Sequence, residues 1–342
     1  MSKETVTLNT EAIVQDVLNS IDREREREII ARRYGLFDRK ETLEQIGELL
    51  GITRERVRQL EKSVMTKLRQ SGTELPHIND VQNAVLTAIS EAGETTRITV
   101  LAGALTAENT RTDQSRLAFL TELCPSVAVI SEDDTYFQAA GNTSVHDTST
   151  IKKEIAQLVE AIKKAGKPVE TKEMSKLANM PSDRYATALA SISKQLATLN
   201  GRWGLVKWPT VNPKNIRDKI YVILSENKKH MHFNEISEAI KASDFKRKDV
   251  TTQAIHNELI KDKRFVLIGR GIYALREWGY DKGTVADIIS EVLREAGEPL
   301  HRDEIVKRVL KSRFVKETTI LLNLQSKPQF KRVAKATYQL SE

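Results

Sequence analysis

The segment TLEQIGELLGITRERVRQLEKSVMTKL, residues 42–68, decides the fold at the N-terminal end of the chain. Thr42 and Gln45 have the spacing of a capping box, in which each side chain bonds a free backbone amide at a helix start. Gly51 supplies a tight turn, and Thr53 can cap the helix that follows it. The pattern therefore predicts a helix-turn-helix.

The second helix of this motif has two chemically different faces. Its apolar residues recur at helical spacing and form the side expected to be buried, namely Val57, Leu60, Val64 and Leu68. The opposite arc carries Arg54, Glu55, Arg58, Gln59 and Lys62. The N-terminal residues of a recognition helix reach base edges in the major groove, where Arg suits guanine, Glu cytosine and Gln adenine. The pattern favours base contact over a merely solvated face.

Residues 20–70 as a whole closely resemble region 4 of the sigma-70 family, the bacterial promoter-recognition factors. The resemblance is carried by IDREREREIIARRYGL at 21–36 and by TRERVRQ at 53–59. It implies that this part of the chain binds the −35 element of double-stranded promoter DNA. It also implies docking on the RNA polymerase core, at the flap of the β subunit.

The resemblance further implies roles for individual residues. Phosphates would be held by Arg33 and Arg58, and Leu43 and Glu44 would lie near the DNA backbone. The residues that would read bases are Arg54, Glu55 and Gln59. The full set predicted to bind DNA is Arg33, Leu43, Glu44, Thr53, Arg54, Glu55, Arg56, Arg58, Gln59 and Lys62.

The chain also departs from the family pattern. Ser63 stands where the family usually has Lys, although Lys62 can partly replace that contact. The basic pair that often meets activators reads Thr66-Lys67 here. No segment resembles region 2 or region 3, including the aromatic-rich stretch that captures the melted −10 strand. We therefore expect that the chain does not open a promoter by itself.

Downstream, the sequence repeats with a period of roughly 65 to 70 residues. This length suits a small domain of three helices and a β-hairpin. Such a domain is the winged-helix form of helix-turn-helix. The last two copies align best, so that His232 corresponds to His301 and Tyr273 to Tyr338. These copies, 215–280 and 284–341, resemble HARE-HTH domains, which occur in the delta subunit of bacterial RNA polymerase, in restriction systems and in chromatin proteins.

The expected fold class is mainly α, with an N-terminal helix-turn-helix domain followed by four tandem winged-helix domains. The expected sigma region-4-like domain covers 1–72. The expected winged-helix domains are an acidic one at 78–142, then 149–210, and two of HARE-HTH type at 214–281 and 283–342.

Charge is distributed unevenly along the chain. The total is +7, but 1–72 carries +1, 73–147 carries −8 and 148–342 carries +14. A basic surface is typical of polyanion binding, whereas an acidic segment repels phosphate. In the acidic segment, Glu132-Asp133-Asp134 falls in the expected wing, which favours a basic protein surface as its partner. Possible phosphate contacts in the basic part are Lys246, Arg247, Lys248, Lys311, Arg313 and Lys316.

Other signals favour structural roles. His230-x-His232 has a metal-like spacing, but zinc needs three or four converging ligands, and the match of His232 with His301 favours capping or packing. Gly269-Arg270-Gly271 favours a wing turn over a phosphate loop. Cys124, the single cysteine, excludes an internal disulfide and favours a core position.

No nucleophile–base pair, Walker loop, pair of catalytic carboxylates or metal cage is recognisable in the sequence. We expect that the protein is not an enzyme and that it binds neither a cofactor nor a metal. The sequence also has no run of 18 apolar residues and no apolar stretch at its start, so we expect no membrane span and no signal peptide. These observations favour a cytoplasmic, nucleoid-associated protein.

The sequence thus predicts a DNA-binding transcription factor of the bacterial initiation machinery, which is sigma-factor-like but lacks the promoter-melting region. Two alternatives remain open. One is the DNA-recognition module of a defence or restriction system, and the other is a winged-helix protein–protein scaffold.

Overall fold

A computed structural model describes residues 7–245, 249–280 and 283–341 of the chain. This part of the chain is mainly helical, with sixteen α-helices and twelve short strands. The chain divides into two compact units, residues 1–207 and 208–342. None of the helices described is both long and apolar enough to cross a membrane.

The first unit begins with four helices that contain the predicted helix-turn-helix. They are α1 (Thr10–Asn19), α2 (Glu24–Tyr34), α3 (Leu43–Leu50) and α4 (Arg54–Ser71). The predicted capping box is confirmed, since the Thr42 hydroxyl accepts from the Gln45 amide at 3.2 Å and the Gln45 side chain accepts from the Thr42 amide at 2.9 Å. Gly51 has a left-handed φ of +63° and ends α3, as the turn requires.

The close approach of α3 to the start of α4 depends on Gly47. A Cβ atom at this position would lie 2.7 Å from the carbonyl oxygen of Ile52, a contact that backbone atoms cannot relieve. Because Gly47 has no side chain, the turn can fold back on α3 and fix the angle between the two helices.

Four copies of one succession of elements follow, which we call the first to fourth repeats. The first consists of α5 (Ile78–Ala92), β1 (Thr95–Arg97), α6 (Ile98–Leu105), α7 (Arg111–Leu123), β2 (Val127–Ile130) and β3 (Ala139–Asn142). The second consists of α8 (Thr148–Ala165), β4 (Val169–Glu170), α9 (Thr171–Leu177), α10 (Asp183–Ile192), β5 (Leu196–Leu199) and β6 (Arg202–Leu205).

The second unit contains the other two repeats. The third consists of α11 (Ile216–Asn227), β7 (Met231–His232), α12 (Phe233–Ala242), α13 (Thr252–Lys261), β8 (Phe265–Gly269) and β9 (Ile272–Leu275). The fourth consists of α14 (Val285–Ala296), β10 (Leu300–His301), α15 (Arg302–Ser312), α16 (Glu317–Ser326), β11 (Phe330–Ala334) and β12 (Thr337–Leu340).

Every repeat forms a three-stranded antiparallel sheet with the same strand order, in which the last strand lies between the first and the second. The sequence predicted only a hairpin, and the short first strand is an addition. Met231 pairs with Tyr273 in the third repeat, and Leu300 pairs with Tyr338 in the fourth. The equivalent registers agree with the alignment of these two repeats made from the sequence.

The helix-turn-helix and the first repeat share one hydrophobic core. Val64, Met65 and Leu68 from α4 are buried in the same cluster as Leu117 and Phe119 from α7. Burial of an aliphatic side chain of this size contributes roughly 1.5–3 kcal/mol, so this face of α4 supplies a large part of the few kcal/mol that stabilise a domain. The expected boundary between 1–72 and 78–142 therefore does not separate two independent cores.

Polar contacts reinforce this shared core. The buried Arg116 guanidinium of α7 donates to the Leu36 carbonyl oxygen at 2.7 Å and to the Glu11 carboxylate at 2.8 Å. The ring of Phe119 packs edge-on against that of Tyr34, with centroids 5.2 Å apart. Helix α7 thus binds the helix-turn-helix both by apolar packing and by hydrogen bonds to its backbone.

We expect Phe119→Ala to destabilise α2 and α4 as well as the first repeat. Removal of this fully buried ring costs about 3–5 kcal/mol, because a cavity remains in the shared core. Hydrogen exchange measured by mass spectrometry should show faster exchange of the amides at 64–68 together with those of α7. Ile289→Ala, a comparable change in the core of the fourth repeat, should leave 64–68 protected. Unchanged exchange at 64–68 in Phe119→Ala would show that the two parts fold separately.

Candidate nucleic-acid interface

Helix α4 is positioned by its first residues. The Thr53 hydroxyl accepts a hydrogen bond from the Arg56 amide at 3.2 Å, which confirms that Thr53 is the N-cap. Val57 then packs with Ile29 and Ile46 in a small core beneath the first two turns of α4. The N-terminal half of α4 is therefore held on the surface of the helix-turn-helix with one fixed face outward.

The outward face is the one predicted from helical spacing. All five residues of this predicted face are exposed, namely Arg54, Glu55, Arg58, Gln59 and Lys62, and Arg56 of the predicted DNA-binding set is exposed as well. The apolar side is buried as expected, with Leu60 only partly covered. The predicted faces of this helix are confirmed, and its polar face is open to a partner.

Four of these side chains form a small hydrogen-bonded group, in which Arg56 donates to the Gln59 side-chain oxygen at 3.4 Å. The Arg58 guanidinium donates twice to the Glu55 carboxylate, at 2.6 and 2.8 Å, and the Gln59 amide donates to it at 3.4 Å. Hydrogen bonding from Arg58 lowers the pKa of the Glu55 carboxyl below its ordinary value. Arg54 and Lys62 make no side-chain hydrogen bond to another residue in the described ranges, so their charges face solvent.

The remaining predicted residues lie beside this face on other elements. The Arg33 side chain of α2 is 38% exposed, and its Nε lies 3.4 Å from the Glu61 carboxylate of α4. Glu44 is exposed on the first turn of α3, whereas Leu43 is half-buried against the small core. The structure thus brings Arg33 close to α4. Glu61 was not predicted, and its separation of 28 residues from Arg33 gives no local signal in the sequence.

Comparisons with known proteins bear on this region. The family model for sigma-70, region 4, matches residues 23–70. Residues 23–70 form a sigma-70 region 4 domain. The region resembles the RNA polymerase sigma factor SigA of a Bacillus species, with 46% identity over 57 residues. It also resembles SigA1 of Synechococcus elongatus, with 54% identity over 46 residues, and RpoD of Helicobacter pylori, with 48% over 60 residues.

These matches cover little of either protein. They span 16%, 13% and 17% of the present chain, and 15%, 12% and 9% of the respective sigma factors. The similarity therefore supports sigma-factor-like DNA binding by the region 4 domain. The matched segments are too short to include the four repeats.

The predicted phosphate contacts of the second unit have different surroundings. Lys246, Arg247 and Lys248 lie outside the described residues. Lys311 at the end of α15 and Lys316 before α16 are exposed. The Arg313 side chain is buried, with only 6% of the residue exposed, and it donates to the Leu267 carbonyl oxygen of the third repeat. Arg313 is therefore not on the surface that a phosphate contact requires, and we remove it from that set.

The structural roles expected for three other signals are confirmed. His232 and His301 both cap helices, since their side chains accept from the amides of Asn234 and Asp303. Gly271 lies in the turn between β8 and β9 with a φ of +71°. Cys124 is buried, which raises the pKa of its thiol to about 12. No group of three metal-ligating side chains comes together in the part of the chain that the structure describes.

The Glu55–Arg58 pair predicts a specific titration. Because Arg58 stabilises the charged carboxylate, the pair is present above the Glu55 pKa and is lost as the pH falls through it. We expect Arg58→Ala to raise the Glu55 pKa toward its ordinary value in a carbon-detected NMR titration. Arg54→Ala, which removes a more distant charge, should raise it less. Equal effects of the two substitutions would contradict the pairing.

Proposed function

We propose that this protein is a sigma-factor-like transcription initiation factor that binds −35-type promoter DNA through α4. The proposal is carried by one observation, the exposed polar face of α4 within a matched sigma-70 region 4 domain. Arg54, Glu55 and Gln59 would read base edges, and Arg33, Arg58 and Lys62 would contact phosphates. The protein would act in the cytoplasm, on the nucleoid, by recruitment and positioning and not by catalysis.

We further propose that the four repeats are winged-helix domains, and that the third and fourth are of HARE-HTH type. Two observations support this, namely the common succession of elements and strand order, and the equivalent histidine caps of the third and fourth repeats. With a net charge of +14 over 148–342, repeats two to four would extend contacts along upstream DNA or polymerase. Lys311 and Lys316 would take part in these contacts.

The acidic first repeat would face a protein. Two carboxylates of its expected wing already have partners within the protein. Glu132 forms an ion pair with Lys194 at 2.8 Å, and Asp133 accepts from the backbone amides of Thr135 and Tyr136. A basic protein partner would therefore be attracted by the whole repeat and not by this short acidic run alone.

Docking on the polymerase core, at the flap of the β subunit, is the second half of the proposal. Leu36, Val64 and Leu68 lie in the core shared with α7. A polymerase contact would thus use surfaces of the region 4 domain that remain exposed beside the DNA-binding face.

We expect Arg54→Ala and Glu55→Ala to reduce discrimination between matched and scrambled promoter DNA, by about 1–3 kcal/mol for each lost bidentate contact. Glu55→Ala also frees Arg58, so its affinity for scrambled DNA should rise. The measurement is fluorescence anisotropy with both duplexes at one fixed salt concentration. Arg33→Ala serves as the comparison, because loss of a phosphate contact should weaken both duplexes equally. If both α4 variants retained wild-type discrimination, base reading by α4 would be refuted.

Binding to RNA polymerase distinguishes the proposed function from the two alternatives, a defence-system module and a protein scaffold. We expect the full chain to co-elute with purified core RNA polymerase in size-exclusion chromatography, at both low and moderate salt. A complex that survives moderate salt is specific, whereas simple attraction between charges is screened. Absence of co-elution with intact promoter discrimination would favour the defence-system module. Absence of both would favour the scaffold.

A further inference from the structure

A cleft of about 650 Å³ lies in the first unit, between the loop before α3 and the start of α7. Four basic side chains line it, two from the region 4 domain and two from the first repeat, namely Arg39, Lys40, Arg97 and Arg111. Asp38 and Glu132 are its acidic side chains. We call it the basic cleft.

The basic cleft holds positive charge that the first repeat otherwise lacks. Residues 73–147 carry a net charge of −8 and contain three basic residues. Arg116 is buried and bound to Glu11 and to the Leu36 carbonyl oxygen. The other two, Arg97 and Arg111, both line the cleft and lie opposite the basic pair of the region 4 domain. The positive charge of this acidic repeat is therefore concentrated at one place.

The charges of the basic cleft are not neutralised within the protein. Across the described ranges, none of its four cations lies within ion-pair distance of a carboxylate, although other arginines of this unit are paired. Glu132 is taken up by Lys194, at 2.8 Å. Four positive charges thus face one carboxylate, that of Asp38, which is not in such a pair.

Arg97 is held in place in the wall of the basic cleft. Its guanidinium lies 3.8 Å from the centroid of the Phe137 ring, and its Nε donates to the Ser191 carbonyl oxygen. Its partial burial lowers the pKa of the guanidinium, which is the expected cost of holding an uncompensated cation away from water. The outer arginines, Arg39 and Arg111, are exposed and make no side-chain hydrogen bond to another described residue.

Like charges held together without a counter-ion repel each other, and a phosphate group relieves that repulsion with several charge-assisted hydrogen bonds. The basic cleft also continues from the proposed DNA face, since Lys40 lines both this cleft and the adjoining groove that contains Arg33 and Glu61. A duplex bound by α4 would bring backbone phosphates toward Leu43 and Glu44, three to five residues beyond Arg39 and Lys40.

We propose that the basic cleft binds phosphate, with Arg39, Lys40, Arg97 and Arg111 as ligands and the DNA backbone beside the recognition helix as its source. The choice of DNA as the source rests on the proposed function, whereas the affinity for phosphate does not. The first repeat is then a phosphate clamp for the region 4 domain, despite its acidic composition.

The test uses the full chain with Arg39→Ala and Arg111→Ala combined. The matched control combines Arg23→Ala with Lys67→Ala, which removes the same charge from exposed side chains of the region 4 domain that belong neither to the basic cleft nor to the predicted DNA-binding set. The affinity for a fluorescent promoter duplex is measured over a range of salt concentrations. Two lost phosphate contacts should lower the slope of log affinity against log salt by about 1.8, while the control keeps the wild-type slope. Discrimination between matched and scrambled duplexes should be unchanged, since no base contact is lost.

A second measurement identifies the source of the phosphate. Sodium tripolyphosphate is titrated into the wild type and both double variants by calorimetry without DNA, after the thermal midpoints have been shown to agree. If the slope of log affinity against log salt is lower in the cleft variant, the DNA backbone is supported as the source of the phosphate. An unchanged slope with loss of tripolyphosphate binding supports a soluble phosphate ligand.

Equal behaviour of the cleft variant and the control in both titrations would overturn the proposal. A wild-type chain that binds tripolyphosphate in the basic cleft but shows no promoter discrimination would refute the proposed function and leave the cleft as a phosphate site. If the cleft variant did not fold, Arg39→Gln with Arg111→Gln would replace it, because glutamine keeps much of the side-chain volume without the charge.

Discussion

The structure of the first unit depends on one helix that is buried at both ends in different cores. The first turns of α4 close the small core of the helix-turn-helix through Val57, and its later turns enter the large core shared with the first repeat. In proteins most of the stability of a helix comes from the packing of its amphipathic face, so the order of α4 comes from these two cores. The outward face of α4 is consequently as rigid as the two cores beneath it, and the region 4 domain depends on α7 for its stability.

The surface charge of this unit varies over shorter distances than the net charges of the sequence segments indicate. The acidic repeat keeps one arginine, Arg116, as an internal connection to the region 4 domain and places the other two in the basic cleft. The basic side chains of the region 4 domain are divided between the outward face of α4 and the loop before α3. The positions of the basic side chains therefore matter more than the net charge of a segment, and a negative repeat can lie beside the helix that we propose to bind DNA.

Local features of this fold were predictable and distant ones were not. The capping box at Thr42, the turn at Gly51 and the two faces of α4 follow from spacings of a few residues, and the histidine caps follow from the internal alignment. The shared core escaped prediction because Tyr34 and Phe119 are far apart in the sequence. The first strand of each repeat has only two or three residues, too few to show a period. Arg313 looked exposed because nothing local indicates that Leu267 supplies its acceptor.

The ion pair between Glu55 and Arg58 has a consequence for how this protein would search a genome. While the pair is closed, the charges of Arg58 and Glu55 cancel, so random DNA gains less from Arg58 than from an unpaired arginine. Opening leaves the Glu55 carboxylate facing a polyanion, which only a base with a well-placed amino group can compensate. Non-specific complexes would then be weak and short-lived. The protein would slide over most sequences and stop where both halves of the pair find new partners.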